Sequence, residues 1–272
     1  MLSWCSYCQE FQGERPPFDL LALTHGICDS CAENVFTITD REMQHARVLQ
    51  RIQTSLSEAG HQNDVEAAAR ALDDATTAQI RAVDVLLGII APLLYEIGED
   101  WRRAVISVAE EHRFSMFCEE VVKLVEARLH ADPDAARVAS GPVDALLMNA
   151  PGNRHTLGIH VLRLWLLSKG VHGRVLDPAP RPDEFAAVIQ TLQPRMLLIS
   201  IAMAEQSRGA QAIVERVRAL PGPGGRIRII AGGNAVKLGH VTSIPGLELT
   251  TDIHAVPEML TRWEQEPSET VG

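Results

Sequence analysis

From residue 139 onward, short apolar runs alternate with stretches whose apolar residues recur every three or four positions. The runs VDALLMNA (143–150), GRVLD (173–177), RMLLISIA (195–202), RIRIIAG (226–232) and LELTT (247–251) read as strands. Amphipathic helices fit about 156–169, 182–192, 205–219, 234–239 and 255–264. Apolar strands alternating with helices predict an α/β domain over 139–265, with a parallel sheet covered on both faces. Over 38–131 a period near 3.6 replaces that pattern and predicts four helices. The first, 40–60, has an apolar stripe and a glycine stop, and a shorter one follows over about 63–76. The third, 82–103, is apolar on most of its surface, which makes it central, and Pro92 interrupts it with an expected kink. The fourth covers about 107–131 with Ser107 as N-cap. Short connections between these helices favour an antiparallel bundle. The polar tail 266–272 reads as flexible.

Residues 1–36 fit neither pattern, and their chemistry explains them. Cys5, Cys8, Cys28 and Cys31 form two Cys-x-x-Cys pairs separated by 19 residues. Such pairs hold a tetrahedral metal, zinc above all, and can fold a segment too short for its own core. The other reading of the same spacing is four reduced thiols without a metal. His25 could replace one ligand but is placed in the turn before Cys28. The stretches CSYC and THGICDSC resemble small modules found beside bacterial sensory domains. Cys118, standing alone, reads as a small buried hydrophobe.

Composition narrows the function classes. Apolar residues make up 46% and charged residues 22%, the balance of a soluble globular chain. The net charge of −10, with Lys and Arg scattered, supplies no basic face for direct nucleic-acid binding. Any effect on transcription would pass through another protein. No apolar run reaches a membrane span, and the start MLSWC lacks the basic end and apolar core of a signal peptide. A cytoplasmic protein, compatible with homo-oligomerisation, is therefore expected.

The sheet segment carries the candidate site. Asn153, His155 and Gly158 follow the first strand, Ser200 ends the third, and Gly232-Gly233 end the fourth. Ligands of open α/β sheets bind outside the carboxyl ends of the strands, near the topological switch point. Singly, His155 reads as a solvated loop histidine, Ser200 as a helix cap and Gly232-Gly233 as a turn. Together, His155-x-x-Gly158, then 41 residues, then Ser200, and later Gly232-Gly233, resemble the fingerprint of cobalamin-binding domains. The resemblance implies a Rossmann-like (flavodoxin-like) domain with adenosyl- or methylcobalamin bound and His155 as the lower cobalt ligand. It implies a nucleotide tail lying beside Ser200 and the glycines. Family members usually place an acid two residues before the His; here Asn153 stands there, and its amide oxygen is expected to accept the imidazole N–H. Ala202 replaces a usual Leu, and the gap from it to Gly232 is 29 residues, slightly long.

In the bundle, nine residues separate Trp101 from Glu111-His112. That arrangement resembles the helical cap of light-sensing cobalamin regulators. It implies Trp101 over the upper cobalt ligand, Glu111 hydrogen-bonded to that ligand, and His112 binding cobalt after photolysis. The bland readings are a Trp anchoring a helix end and a solvated charged face. The leading expectation is a photoreceptor without enzymatic activity that regulates a protein partner such as a repressor or signalling enzyme. Some of the resembled proteins use a bilin beside the corrin, and an apolar bundle is compatible with one. The alternative is a corrinoid methyl carrier of a methyltransferase system, for which the Trp101/Glu111-His112 trio is not needed. A cobalamin-type fold that has lost its cofactor is the third reading, with Asn153 as its support.

Overall fold

The computed structural model describes residues 1–32, 40–180, 182–222 and 227–265. The tail expected over 266–272 lies outside them, as does the passage at 33–39. The chain divides into two compact units, Met1–Ala131 and Asp132–Gly272.

The first unit opens with β1 (Leu2–Cys5), β2 (Phe11–Glu14), β3 (Leu23–Gly26) and the short α1 (Asp29–Ala32). The strands form a sheet of order β2-β1-β3, with β1 antiparallel to β2 and parallel to β3. The periodicity gave no sign of these strands, because four residues are too few to show an alternation. Leu2, Trp4, Cys5 and Phe11 are buried, with the Trp4 and Phe11 rings 5.4 Å apart. At about 25 cal/mol per Å², a side chain of this size contributes roughly 2–3 kcal/mol on burial.

The expected helices follow. α2 (Asp40–Gln62) does not stop at Gly60; Asn63, at φ +54°, lies just beyond its end. Gly60 serves packing instead, since a Cβ there would lie 2.4 Å from the Phe114 ring. α3 (Val65–Thr77) is capped by Asp64, which accepts the Ala67 N–H at 2.8 Å. The third predicted helix runs unbroken from Ala82 to Arg102 but changes pitch on the way. It consists of α4 (Ala82–Val85), a π-helical turn at Leu86–Ile90, and α5 (Ala91–Arg102). Pro92 has no N–H for the Gly88 carbonyl, and its ring would press on that carbonyl in a regular turn. The wider turn, in which the Ala91 N–H reaches Leu86 O, accommodates the ring without a break. α6 (Val108–Ala131) begins with a reciprocal cap: the Ser107 N–H and hydroxyl donate to Glu110, and the Glu110 N–H returns to Ser107 Oγ. Those bonds hold the Glu110 carboxyl below its ordinary range.

The cysteine segment is seated on these helices. The Trp4 ring lies over Gly88, where a Cβ would come within 2.2 Å of it. Gln9 Nε2 donates to Ala78 O at 2.7 Å, and Arg81 bridges Glu10 and the buried Asp84, each at 2.8 Å. The charge of Asp84, whose side chain is 1% exposed, is thereby paired. Cys118 is buried in α6 as expected, and burial pushes its thiol up to about 12.

The second unit begins with α7 (Pro133–Ala139), which the periodicity missed; Asp132 caps it by accepting from the Asp134 and Ala135 N–H groups. Then come β4 (Ala145–Asn149), α8 (Leu157–Ser168), β5 (Gly173–Val175), α9 (Pro182–Leu192) and β6 (Met196–Ser200). A 3-10 turn at Ala204–Gln206 leads into α10 (Ser207–Arg218), followed by β7 (Arg228–Gly232), α11 (Asn234–Lys237), β8 (Glu248–Leu249) and α12 (Ala255–Gln265). All five strands are parallel, in the order β5-β4-β6-β7-β8. This is the flavodoxin-like winding, with its reversal between β4 and β6. Leu146, Met148, Leu197, Ile199 and Ile229 form one face of the sheet, under Phe185 and Ile189 of α9 and Ile213 and Val217 of α10. Leu147 alternates to the other face, beside Leu166 of α8. No helix among the described residues is long and apolar enough to cross a membrane.

Candidate functional site

The carboxyl edge of the sheet aligns three strand ends. Asn149 pairs with Ser200, and Ser200 with Gly232, in a continuous register across β4, β6 and β7. The ladder extends one step further through Ala150 N–H to Ser200 O and Ile201 N–H to Gly232 O, at 2.9 and 2.8 Å. Ser200 and Gly232 therefore sit side by side because of strand register. The loop after β4 turns at Gly152, at φ +87°, and the Asn153 N–H closes the turn onto Ala150 O at 2.9 Å.

Asn153 is buried in that loop, but it does not hold the imidazole. Its Oδ1 accepts the backbone N–H of His155 at 3.0 Å. Its Nδ2 donates to Asn149 Oδ1 and Ser200 O, both at 3.2 Å, and lies 3.5 Å from Ser200 Oγ. The amide is short, fixed by burial and already engaged with backbone, so the ring must find its partner elsewhere. His155 itself is exposed at the switch point, and Gly158 in the first turn of α8 faces open space. Gly232 and Gly233 have a reason that precedes any ligand. A Cβ on Gly233, at φ +107°, would lie 2.5 Å from Ile201 O, and one on Gly232 3.1 Å from Thr250 O. Backbone after β6 and the positive φ demand the glycine at 233, while backbone after β8 leaves only a tight fit at 232. Sequence reasoning missed Asn149, a polar end to an apolar strand. It also missed Gln206, whose buried Oε1 accepts the Ala202 and Met203 N–H groups and shapes the loop after β6.

In the first unit, Trp101 closes α5 and Glu111-His112 open α6. His112 Nδ1 and Glu111 Oε2 are 2.7 Å apart, and Glu111 Oε1 accepts from Ser115 at 2.8 Å. Trp101 is 49% exposed, and Tyr95, Val105, Val108 and Met116 of the same stretch of chain are exposed as well. A groove of about 480 Å³ between α2 and α3 is lined by Glu58, Gln62, Arg70, Asp73 and Asp74 and holds none of the residues picked out from the sequence.

The four cysteines converge as predicted, with all Sγ atoms within 4.8 Å of one another. Parallel pairing of β1 with β3 sets Cys5 opposite Gly26 and so brings both pairs to one end of the small sheet. His25 lies within β3, paired with Trp4, not in the turn before Cys28. The Cys8 and Cys28 sulfurs are 3.8 Å apart, matching the edge of about 3.8 Å that bonds of about 2.3 Å make around tetrahedral zinc. The Tyr7 N–H donates to Cys5 Sγ at 3.4 Å. Burial opposes ionisation of Cys28, but hydrogen bonds from Ser30 and the Cys31 backbone outweigh it and draw the thiol down to about 7. Burial pushes Cys8 up and takes Cys31 up to about 11. This cluster fits a thiolate-binding metal, which favours the ionised state of every ligand.

Comparison with known proteins bears on the bundle first. Residues 52–126 match the family model described as the B12 binding domain. The matched stretch runs from α2 to α6, so it includes Trp101 and Glu111-His112. His155 and the sheet lie outside it. No curated protein sequence matches the chain. Among solved structures, the Methanosarcina barkeri monomethylamine corrinoid protein aligns with a TM-score of 0.61 at 14% identity, over 80% of this chain and 99% of that one. That likeness shows a shared fold of bundle and parallel sheet. The methanol:cobalamin methyltransferase complex of the same organism aligns at a TM-score of 0.38 and 13% identity, covering 89% and 94% of the two chains. A cobalamin-binding protein from Desulfitobacterium hafniense aligns at 0.38 and 12%, covering 78% and 98%.

Proposed function

We propose that this chain is a corrinoid-carrying protein in which His155 is the lower cobalt ligand and methyl groups pass between partner enzymes. The observation that carries the reading is the exposed His155 at the switch point, on a loop tied to the aligned strand ends. The B12 binding domain match in the bundle and the fold shared with a corrinoid protein support it. A bound corrinoid supplies a cobalt atom able to take up and give away a methyl group. His155 would ligate that atom, Gly158 would leave room for the ring, and Ser200 with the Gly232 edge would receive the nucleotide tail. The chain would then be a carrier subunit, with bond making assigned to its partners. Zinc is the metal proposed for Cys5, Cys8, Cys28 and Cys31, because four thiol sulfurs within 4.8 Å of one another suit it.

A second reading is kept for one specific observation. The Glu111-His112 pair and exposed Trp101 at the α5–α6 corner match the residues expected of a light-responsive sensor, with or without a bilin. One preparation separates the two. The protein is loaded with methylcobalamin and followed by absorption, in the dark with a methyl-accepting enzyme and then under green light. Transfer in the dark supports the carrier; light conversion faster than that of free cofactor, without transfer, supports the sensor. A His155→Ala variant with an unchanged cobalamin spectrum would refute the ligand assignment.

A further inference from the structure

β4 is apolar from Ala145 to Met148 and then ends on an amide. Asn149 is 9% exposed, and both halves of its side chain are used. Its Oδ1 accepts from Asn153 Nδ2 at 3.2 Å, and its Nδ2 donates to the backbone carbonyl of His155 at 3.3 Å. Asn153 meanwhile accepts the backbone N–H of the same residue. The peptide groups on both sides of His155 are therefore gripped by two buried amides that also bind each other. Asn153 Nδ2 continues to Ser200 O, so the grip is anchored in β6 as well as in β4.

We propose that Asn149 is a positioning residue for His155. Together with Asn153 it clamps the backbone of the histidine and presents the imidazole on a fixed stem. Among the described residues the ring itself has no hydrogen-bond partner, so the restraint comes through the main chain. A ring aimed in advance loses less freedom when a metal binds than one that must first be ordered. The inference rests on the reading of His155 as the cobalt ligand, but the clamp can be measured without any cofactor.

The test uses the full chain and three variants, Asn149→Leu, Asn149→Asp and His155→Ala. In the cofactor-free protein, amide exchange of His155 is expected to be at least about tenfold slower than in an unstructured peptide, and Asn149→Leu is expected to abolish that protection. Asn149→Asp keeps the acceptor for Asn153 and loses only the donor to the His155 carbonyl, so it should lose part of it. In titrations with hydroxocobalamin, both Asn149 variants should bind about tenfold more weakly, with a smaller histidine-coordinated absorption signature at saturation. A purely packing role would lower stability and leave that signature intact. Wild-type protection and a wild-type signature in Asn149→Asp would overturn the proposal, even if Asn149→Leu does not fold. If His155→Ala and wild type give the same cobalamin spectrum, the ligand reading fails, while the exchange measurement still decides on the clamp.

Discussion

Asn153 stands where the resembled cobalamin-binding domains carry an acid, and its surroundings explain why an amide suits this chain. Its Nδ2 faces two acceptors, Asn149 Oδ1 and Ser200 O. A carboxylate there could still take the His155 N–H but would turn a negative oxygen towards both. Asn153→Asp is therefore expected to lower the melting temperature at about pH 7.5, with a penalty that shrinks towards pH ~4. The sign follows from the donor requirement. The new carboxyl would be held above its unfolded value, so the stability it supports is present at low pH and lost as pH rises through the folded value. Thermal melts at the two pH values check this, and equal penalties would refute it. Arg81 makes a second case. Its removal would take away both guanidinium hydrogen bonds to the buried Asp84 carboxylate, so Arg81→Met should cost about 3 kcal/mol in urea unfolding. The sequence showed His155, Gly158, Ser200 and the paired glycines because their spacing resembles the fingerprint of cobalamin-binding domains. Asn149 was concealed inside the run LLMNA, and the Gln9, Arg81 and Asp84 links join residues some seventy positions apart in part, beyond the reach of any periodicity.

Among the elements, β5 and β8 prove shorter than the runs that announced them, but the parallel sheet was legible because apolar runs alternate with helix-period stretches. The π turn was not. Pro92 marked a disturbance in the third helix, but a proline alone does not say whether the chain will kink, break or widen. Trp4, far away in sequence, packs over Gly88 within that turn. Gly88→Ala should accordingly cost about 2–3 kcal/mol through overpacking, a larger loss than its better helix propensity could offset. Denaturant midpoints would show it, and an unchanged midpoint would mean that the Trp4 ring can yield.

For the molecule as a whole, the main revision concerns the cysteine segment. A zinc module read from spacing alone could have been an appendage, but β1 is buried with Trp4 on the bundle and tied to it by Gln9 and Glu10. Removing a metal from Cys5, Cys8, Cys28 and Cys31 should thus destabilise the bundle along with the segment. Treatment with a zinc chelator is expected to lower the melting temperature of the first unit by several degrees, and Cys28→Ser should do the same with no chelator present. Helical circular dichroism that melts identically before and after chelation would count against it.

The turn at Leu86–Ile90 can also be viewed as an insertion written into the helix. A π turn takes up about one residue more than an α turn, and each residue of an α-helix advances about 100°. Everything beyond Ile90 is thereby rotated by roughly that angle relative to an unbroken rod. Deleting one residue here would restore a regular α-helix and leave Trp101 on its present side, whereas tightening the turn with every residue kept would swing Trp101 by about 100°. The azimuth of Trp101 is thus set by a change of pitch several turns upstream, not by anything in its own neighbourhood.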